Sequence, residues 1–206
     1  MDKSLVMWAS ILQHAGRHAL LCGEALALAI LVGAPLAALG AHRPALRAPL
    51  LAVAAVGRTI PSIALLALLL PVLGVGTAPA LVALVVLALP PIVVNVDLGI
   101  RGVAPAAIDA ATGLGMNARQ RFGRVVAPLA LPVALAGVRT ASVEVIASAT
   151  LATFIGAGGL GDDIVRALQT DDLRLLAAAS ITVAAMAFAA ELFFTRAARA
   201  LEVRTS

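Results

Sequence analysis

Tyrosine is missing from the 206 residues, tryptophan occurs once, phenylalanine five times and cysteine once. Each scarcity closes a door. A lone Cys22 forms neither an internal disulfide nor a cysteine zinc cage, and so few rings leave no aromatic cage for a tightly held organic cation. Charged residues make up 13% of the chain, about half the share usual in soluble domains. That is too little polar surface to cover a water-soluble globule, and no polar stretch is long enough for a separate soluble domain. A GxxxxGK[ST] pattern is absent as well, so a phosphate-cradling loop for ATP is not expected here. Residues 1–18 scatter polar groups where a cleavable signal peptide would need a short apolar core and a small-residue cleavage site.

What the chain does have is hydrocarbon, with 62% of its residues hydrophobic. A membrane span takes ~20 mostly apolar residues, and five windows qualify: Leu20–Leu39, Leu50–Leu73, Ala80–Val96, part of Pro128–Ile155, and Leu175–Phe194. The second contains Arg58 and Pro61, and the third a Pro90-Pro91 pair expected to kink it. The expected fold is an all-α integral membrane protein of about five transmembrane helices. Residues 1–19 form an external or interfacial segment, 20–196 the membrane domain, and 197–206 a cytoplasmic tail. In residues 1–18, Leu5, Trp8, Ile11, Leu12 and Ala15 suit a helix lying on the surface.

The net charge of +4 is carried almost wholly by arginine. Those arginines sit between apolar runs, so the positive-inside rule accounts for them without nucleic acid. Place the N-terminus outside. The inner connectors then receive nine basic residues (Arg43, Arg47, Arg101, Arg119, Arg121, Arg124, Arg196, Arg199 and Arg204) against four outside (Lys3, Arg17, Arg166 and Arg174). The C-terminus and residues 105–128 are then expected in the cytoplasm, in a multi-pass membrane protein.

Residues 105–128 depart from the hydrocarbon pattern. Pro105 suits a helix start, Ala106, Ala107, Ala110 and Ala111 present little bulk, and Gly115 suits a left-handed stop. Asn117 and Gln120 are spaced as a capping box, and Arg119, Arg121 and Arg124 follow before Pro128 begins the climb into lipid. The expected object is a helix–turn–helix knuckle, with a small-residue ridge that admits a close backbone and a basic flank for carboxylates.

Asp109-Ala110-Ala111, then Gly115, Val125 and Pro128, resembles the EAA loop of ABC-importer permeases: Glu-Ala-Ala, three residues, Gly, nine residues, Ile, one residue, Leu-Pro. Asp109 stands for the glutamate, Val125 for the isoleucine and Ala127 for the leucine. RTIPSIALLALLLPVLGVGTAPALVAL (Arg58–Leu84), AGVRTA (Ala136–Ala141) and ATLATFIGAGGLGDDI (Ala149–Ile164) are similar to the short permeases of osmoprotectant importers, over about Leu20 to Phe194. Arg58 is a departure, since that family often has glutamine there.

The resemblance implies a type I (MetI-like) importer core and no catalytic residue or cofactor of its own, with ATP bound by a cytoplasmic ATPase partner. Asp109, Ala110, Ala111, Gly115, Arg119 and Pro128 would dock on that ATPase. The other implied partners are an external solute-binding protein, a second permease subunit and membrane lipid. Glycine betaine, choline or carnitine would be the solutes. Alternatives are a permease for another small polar solute such as methionine, and a standalone channel or structural membrane protein.

Gly156-Ala157-Gly158-Gly159-Leu160-Gly161 satisfies GxGxxG, but no strand precedes it, so a turn is expected rather than a dinucleotide site. Asp162 or Asp163 is expected to cap a short amphipathic helix after it. His14 and His18 lie four apart without a third ligand and are expected to be solvated, with no metal. Glu144 stands within the fourth span, where a carboxylate costs ~2.5–3.5 kcal/mol on insertion scales. Thr140, Glu144 and Ser148 share an i, i+4, i+8 line that, with Arg58, is the candidate substrate path. The alternative is that Glu144 pairs with Arg58 or Arg139 inside the bundle.

Overall fold

The computed structural model describes residues 3–205. Met1, Asp2 and Ser206, the outermost residues of the expected external segment and tail, lie outside the described residues, as do the side chains of Lys3 and Arg204. The chain forms α1 (Lys3–Ala41), α2 (Pro44–Gly57), α3 (Ser62–Leu73), α4 (Thr77–Arg101), α5 (Pro105–Gly113), α6 (Ala118–Arg121), α7 (Ala127–Ala149), α8 (Leu160–Gln169) and α9 (Leu173–Thr205). A π-helical turn, Phe122–Val126, joins α6 to α7, and a 3₁₀ turn, Leu151–Ile155, follows α7. Among the described residues there is no strand. In hydrocarbon, helices satisfy their backbone polar groups internally, which is why so apolar a chain winds this way.

By length and composition four helical segments can cross a membrane: Leu5–Ala41, Thr77–Arg101, Ala118–Ala149 and Leu173–Leu201. α2 and α3 pass the same test as a pair bent by 101°. Their ends decide how to count them. Arg47 of α2 holds Asp97 near the last turn of α4. Gly76, just past α3, donates its N–H to the Ile155 carbonyl beyond the far end of α7 (2.6 Å). The pair therefore begins at one end of α4 and finishes at the other, making a fifth, broken span.

α4 is the central element. Its buried face runs from Pro79 and Ala80 through Leu84, Ala88 and Ile92 to Gly99. The α4–α7 seam is set by glycine: a Cβ on Gly137 would lie 2.5 Å from the Pro91 carbonyl oxygen, and one on Gly99 2.6 Å from that of Ala130. α1 crosses the same core, with Gly33 against Leu89 and Ile92 of α4 and Cys22 buried beside Val145 of α7.

Several sequence expectations change. The division at residue 19 has no counterpart in the backbone, because α1 runs unbroken from Lys3 to Ala41. Along its first turns Ile11 packs with Leu160, Leu175 and Ala178, while Leu5, Trp8 and Leu12 stay exposed. Leu50–Leu73 is two helices, because Arg58 to Pro61 interrupt the hydrogen-bond ladder. The helical segment that carries the fourth span begins earlier than Pro128, at Ala118.

Candidate functional site

The first candidate site is the knuckle between α4 and α7. α5 ends as local chemistry requires. Gly115 takes φ +75°, its N–H bonds the Thr112 carbonyl and the Met116 N–H bonds that of Ala111, a hydrogen-bonded reversal that uses up the last orphan carbonyls of the helix. Asn117 then caps α6. Its side chain accepts from the Gln120 N–H (2.9 Å), and the Gln120 side chain accepts from the Asn117 N–H (3.0 Å). The Arg121 guanidinium donates to the Thr112 hydroxyl (3.0 Å), tying α6 to α5, and His42 meets Phe122 edge to face at 5.7 Å, tying the knuckle to the end of α1.

The outward surface of this knuckle carries Asp109, Ala110, Gly115, Arg119 and Pro128, all exposed, while Ala111 is buried. Sequence reasoning passed over Leu114. It is 77% exposed at the tip, and its signal was available: it is the one bulky aliphatic residue between Asp109 and Asn117.

The second candidate lies at the broken span. Arg58, Thr59, Ile60 and Pro61 are exposed. Glu144 is half-buried on α7 and makes no hydrogen bond or ion pair among the described residues. Arg58 acts on it electrostatically without pairing. Arg139 is engaged elsewhere, with Glu191 (3.4 Å) and Thr195 (3.3 Å) of α9. The polar line is not uniform: Thr140 is exposed and bonds back to Ala136, whereas Ser148 is 8% exposed and turned into the packing.

At the end opposite the knuckle, histidines expected in solvent are built into the fold. His14 meets the fully buried Asp163 (2.7 Å), which also accepts from Arg166 (3.0 Å). His18 is 1% exposed and donates to the Ile146 carbonyl (3.0 Å). Nor does an aspartate cap α8. Gly159, at φ +95°, holds the cap position; Asp163 points inward, and the Thr153 hydroxyl donates to Asp162. The glycine run makes room for α1, since a Cβ on Gly159 would sit 3.2 Å from His18 Nδ1 and one on Gly158 3.1 Å from the Arg17 guanidinium. Sequence spacing carries no trace of these long-range partners.

Residues 29–206 match the family described as binding-protein-dependent transport system inner membrane component. The chain is 38% identical over 192 residues to the choline transport system permease protein OpuBD of Bacillus subtilis, covering 93% of this chain and 85% of that one. It is also 38% identical over 192 residues to the glycine betaine/carnitine/choline transport system permease protein OpuCD of the same organism, with 93% and 84% covered. In fold it is similar to a chain of the MetNI methionine ABC transporter solved in inward-facing conformations. The TM-score is 0.82 at 21% identity, over 98% of this chain and 99% of that one.

Proposed function

Because the chain belongs to the family of binding-protein-dependent transport system inner membrane components, multi-pass transport proteins, we propose that it is the permease subunit of an importer for osmoprotectants such as glycine betaine, choline or carnitine. Two permeases, identical or paired with a relative, enclose the path. A solute-binding protein delivers solute from outside. ATP is bound and hydrolysed by separate ATPase subunits in the cytoplasm, and this chain performs no hydrolysis itself. The knuckle end faces the cytoplasm, with the N-terminus outside and the C-terminus inside. The nine-to-four excess of basic residues on that side supports this orientation.

The observation that carries the reading is the knuckle. Two short helices locked by a glycine reversal and a capping box project from the ends of α4 and α7, and Leu114 stands at the tip. An apolar knob on a surface that also carries Asp109, Ala110, Gly115, Arg119 and Pro128, with Ala111 buried beneath it, suits a groove on a soluble partner. Closure of the ATPases on ATP moves that handle and switches access from outside to inside. Such coupling requires ATP to favour one conformation of the assembly, because a ligand shifts an equilibrium only by its differential affinity.

The proposed path runs past Arg58, Thr140 and Glu144, with Ser148 behind them in the packing. With no tyrosine and few other rings, high-affinity recognition falls to the binding protein and the path holds solute weakly. The test is co-purification of the ATPase with Leu114→Asp, which places a charge where an apolar knob is needed. Membrane insertion is expected to persist while the retained ATPase drops at least about tenfold, the scale of losing one buried anchor at an interface. Full retention would refute docking through the knuckle.

A further inference from the structure

Resting on that reading, we infer that Arg58 and Glu144 form a two-point site for zwitterionic solutes on the path, Arg58 taking the carboxylate and Glu144 the quaternary ammonium.

The backbone supplies the first argument. Non-helical chain at membrane depth is tolerated where it is buried in protein or lines a wet cavity. Residues 58–61 are exposed on this chain, at a 101° break in a span. Their face therefore meets either the second subunit or water, and not lipid tails. Arg58 itself makes the same demand, because a guanidinium left in hydrocarbon is as costly as the Glu144 carboxylate.

The second argument is that both charges are unspent. The Arg58 guanidinium forms no hydrogen bond or ion pair among the described residues, and neither does the Glu144 carboxylate, although the Arg58 charge is near enough to bear on Glu144. Arg139, the other arginine on the same helix, lies five residues back, off the i+3 and i+4 positions that face each other, and is committed to α9. Two opposite charges that sense each other across a gap are what a small zwitterion neutralises on entering.

The chemistry discriminates between solutes. A planar guanidinium matches a carboxylate with two parallel hydrogen bonds. A quaternary ammonium has no N–H to donate and is held by charge alone, which Glu144 supplies. Glycine betaine and carnitine carry both groups and engage both residues. Choline has a hydroxyl in place of the carboxylate and engages Glu144 only. Without an aromatic cage the hold stays weak, and passage needs a site that solute also leaves readily.

The experiment uses the complete transporter in proteoliposomes, with permease, ATPase and saturating binding protein, and reads glycine betaine and choline uptake on the same vesicles. In Arg58→Gln the betaine-to-choline ratio is expected to fall about tenfold, the worth of one charge-assisted hydrogen bond. Arg58→Lys, which keeps the charge but loses the fork, should lie between. Glu144→Gln should slow both solutes and spare the ratio. Because the ratio is read within one preparation, a partial loss of assembled protein cancels. An unchanged ratio in both Arg58 variants overturns the site while leaving the transporter reading intact. A wild-type complex that couples ATP hydrolysis yet takes up neither solute overturns the osmoprotectant reading, and the site with it.

Discussion

α4 with α7 and α2 with α3 are neighbouring pairs of apolar helices, and they are built on opposite principles. α4 buries thirteen residues and meets α7 backbone to backbone at Gly99 and Gly137. α2 and α3 together bury three, Ala54, Leu65 and Leu66, turn through 101° and leave Arg58 exposed at the corner. Composition does not separate them, since both are alanine- and leucine-rich. What separates them is partnership. One pair uses its small residues for close packing, and it carries the knuckle at its end. The other leaves a corner uncovered, with Arg58 at it.

The sharpest way to break this comparison is to place the same bulk in both pairs. In Gly137→Leu the new side chain meets the Pro91 carbonyl and the Asn95 side chain at 2.5–2.6 Å. Backbone cannot yield there, so the folded state should lose roughly 1–3 kcal/mol or more from overpacking. Thermal unfolding of the solubilised protein checks this. Gly57→Leu in α2 brings its Cβ against the Pro90 ring alone, at 3.3 Å and with no backbone in the way, and should lose clearly less. Equal losses would mean that the two pairs are packed alike after all.

A smaller effect on stability, but a large one on coupling, is expected at the knuckle. Gly115→Leu clashes with nothing within 4 Å, yet must hold φ +75°, a conformation costing about 1–2 kcal/mol for a residue with a Cβ. The α4–α7 unit should remain folded while solute uptake is lost and ATP hydrolysis no longer responds to solute. Normal uptake would separate the knuckle from the unit that bears it. Smallest is Asn117→Ala, which removes one half of the capping box at a cost of about 0.5–2 kcal/mol. Reduced amide protection confined to α6 by hydrogen exchange is the expected signature, and protection lost along α7 would show that the two are one cooperative element.

Legibility followed the range of the interactions. The knuckle was readable in detail because its partners lie three to five residues apart: Asn117 with Gln120, Gly115 with Thr112, Met116 with Ala111. The broken span was hinted at by Arg58 and Pro61, but hydropathy averages over such a break and returns a single window. His14 and His18 were misread because their partners, Asp163 and Ile146, are 149 and 128 residues away. Asp97 was passed over because nothing near it in the chain announces Arg47, which reaches it with three hydrogen bonds.

Taken alone, the order of residues settled that the chain is helical and membrane-bound, and where its basic handle lies. Those outcomes follow from hydrocarbon content, from charge between spans, and from caps and stops that act within one or two turns. Which helices touch, which charges are neutralised and which are left open were decided by the fold. A residue's partner across the bundle depends on how whole helices stack, and stacking sums many weak contacts that no local pattern records. Glu144 reads the same in the sequence whether it is paired or free, and only the packed bundle shows that no cation pairs with it among the described residues.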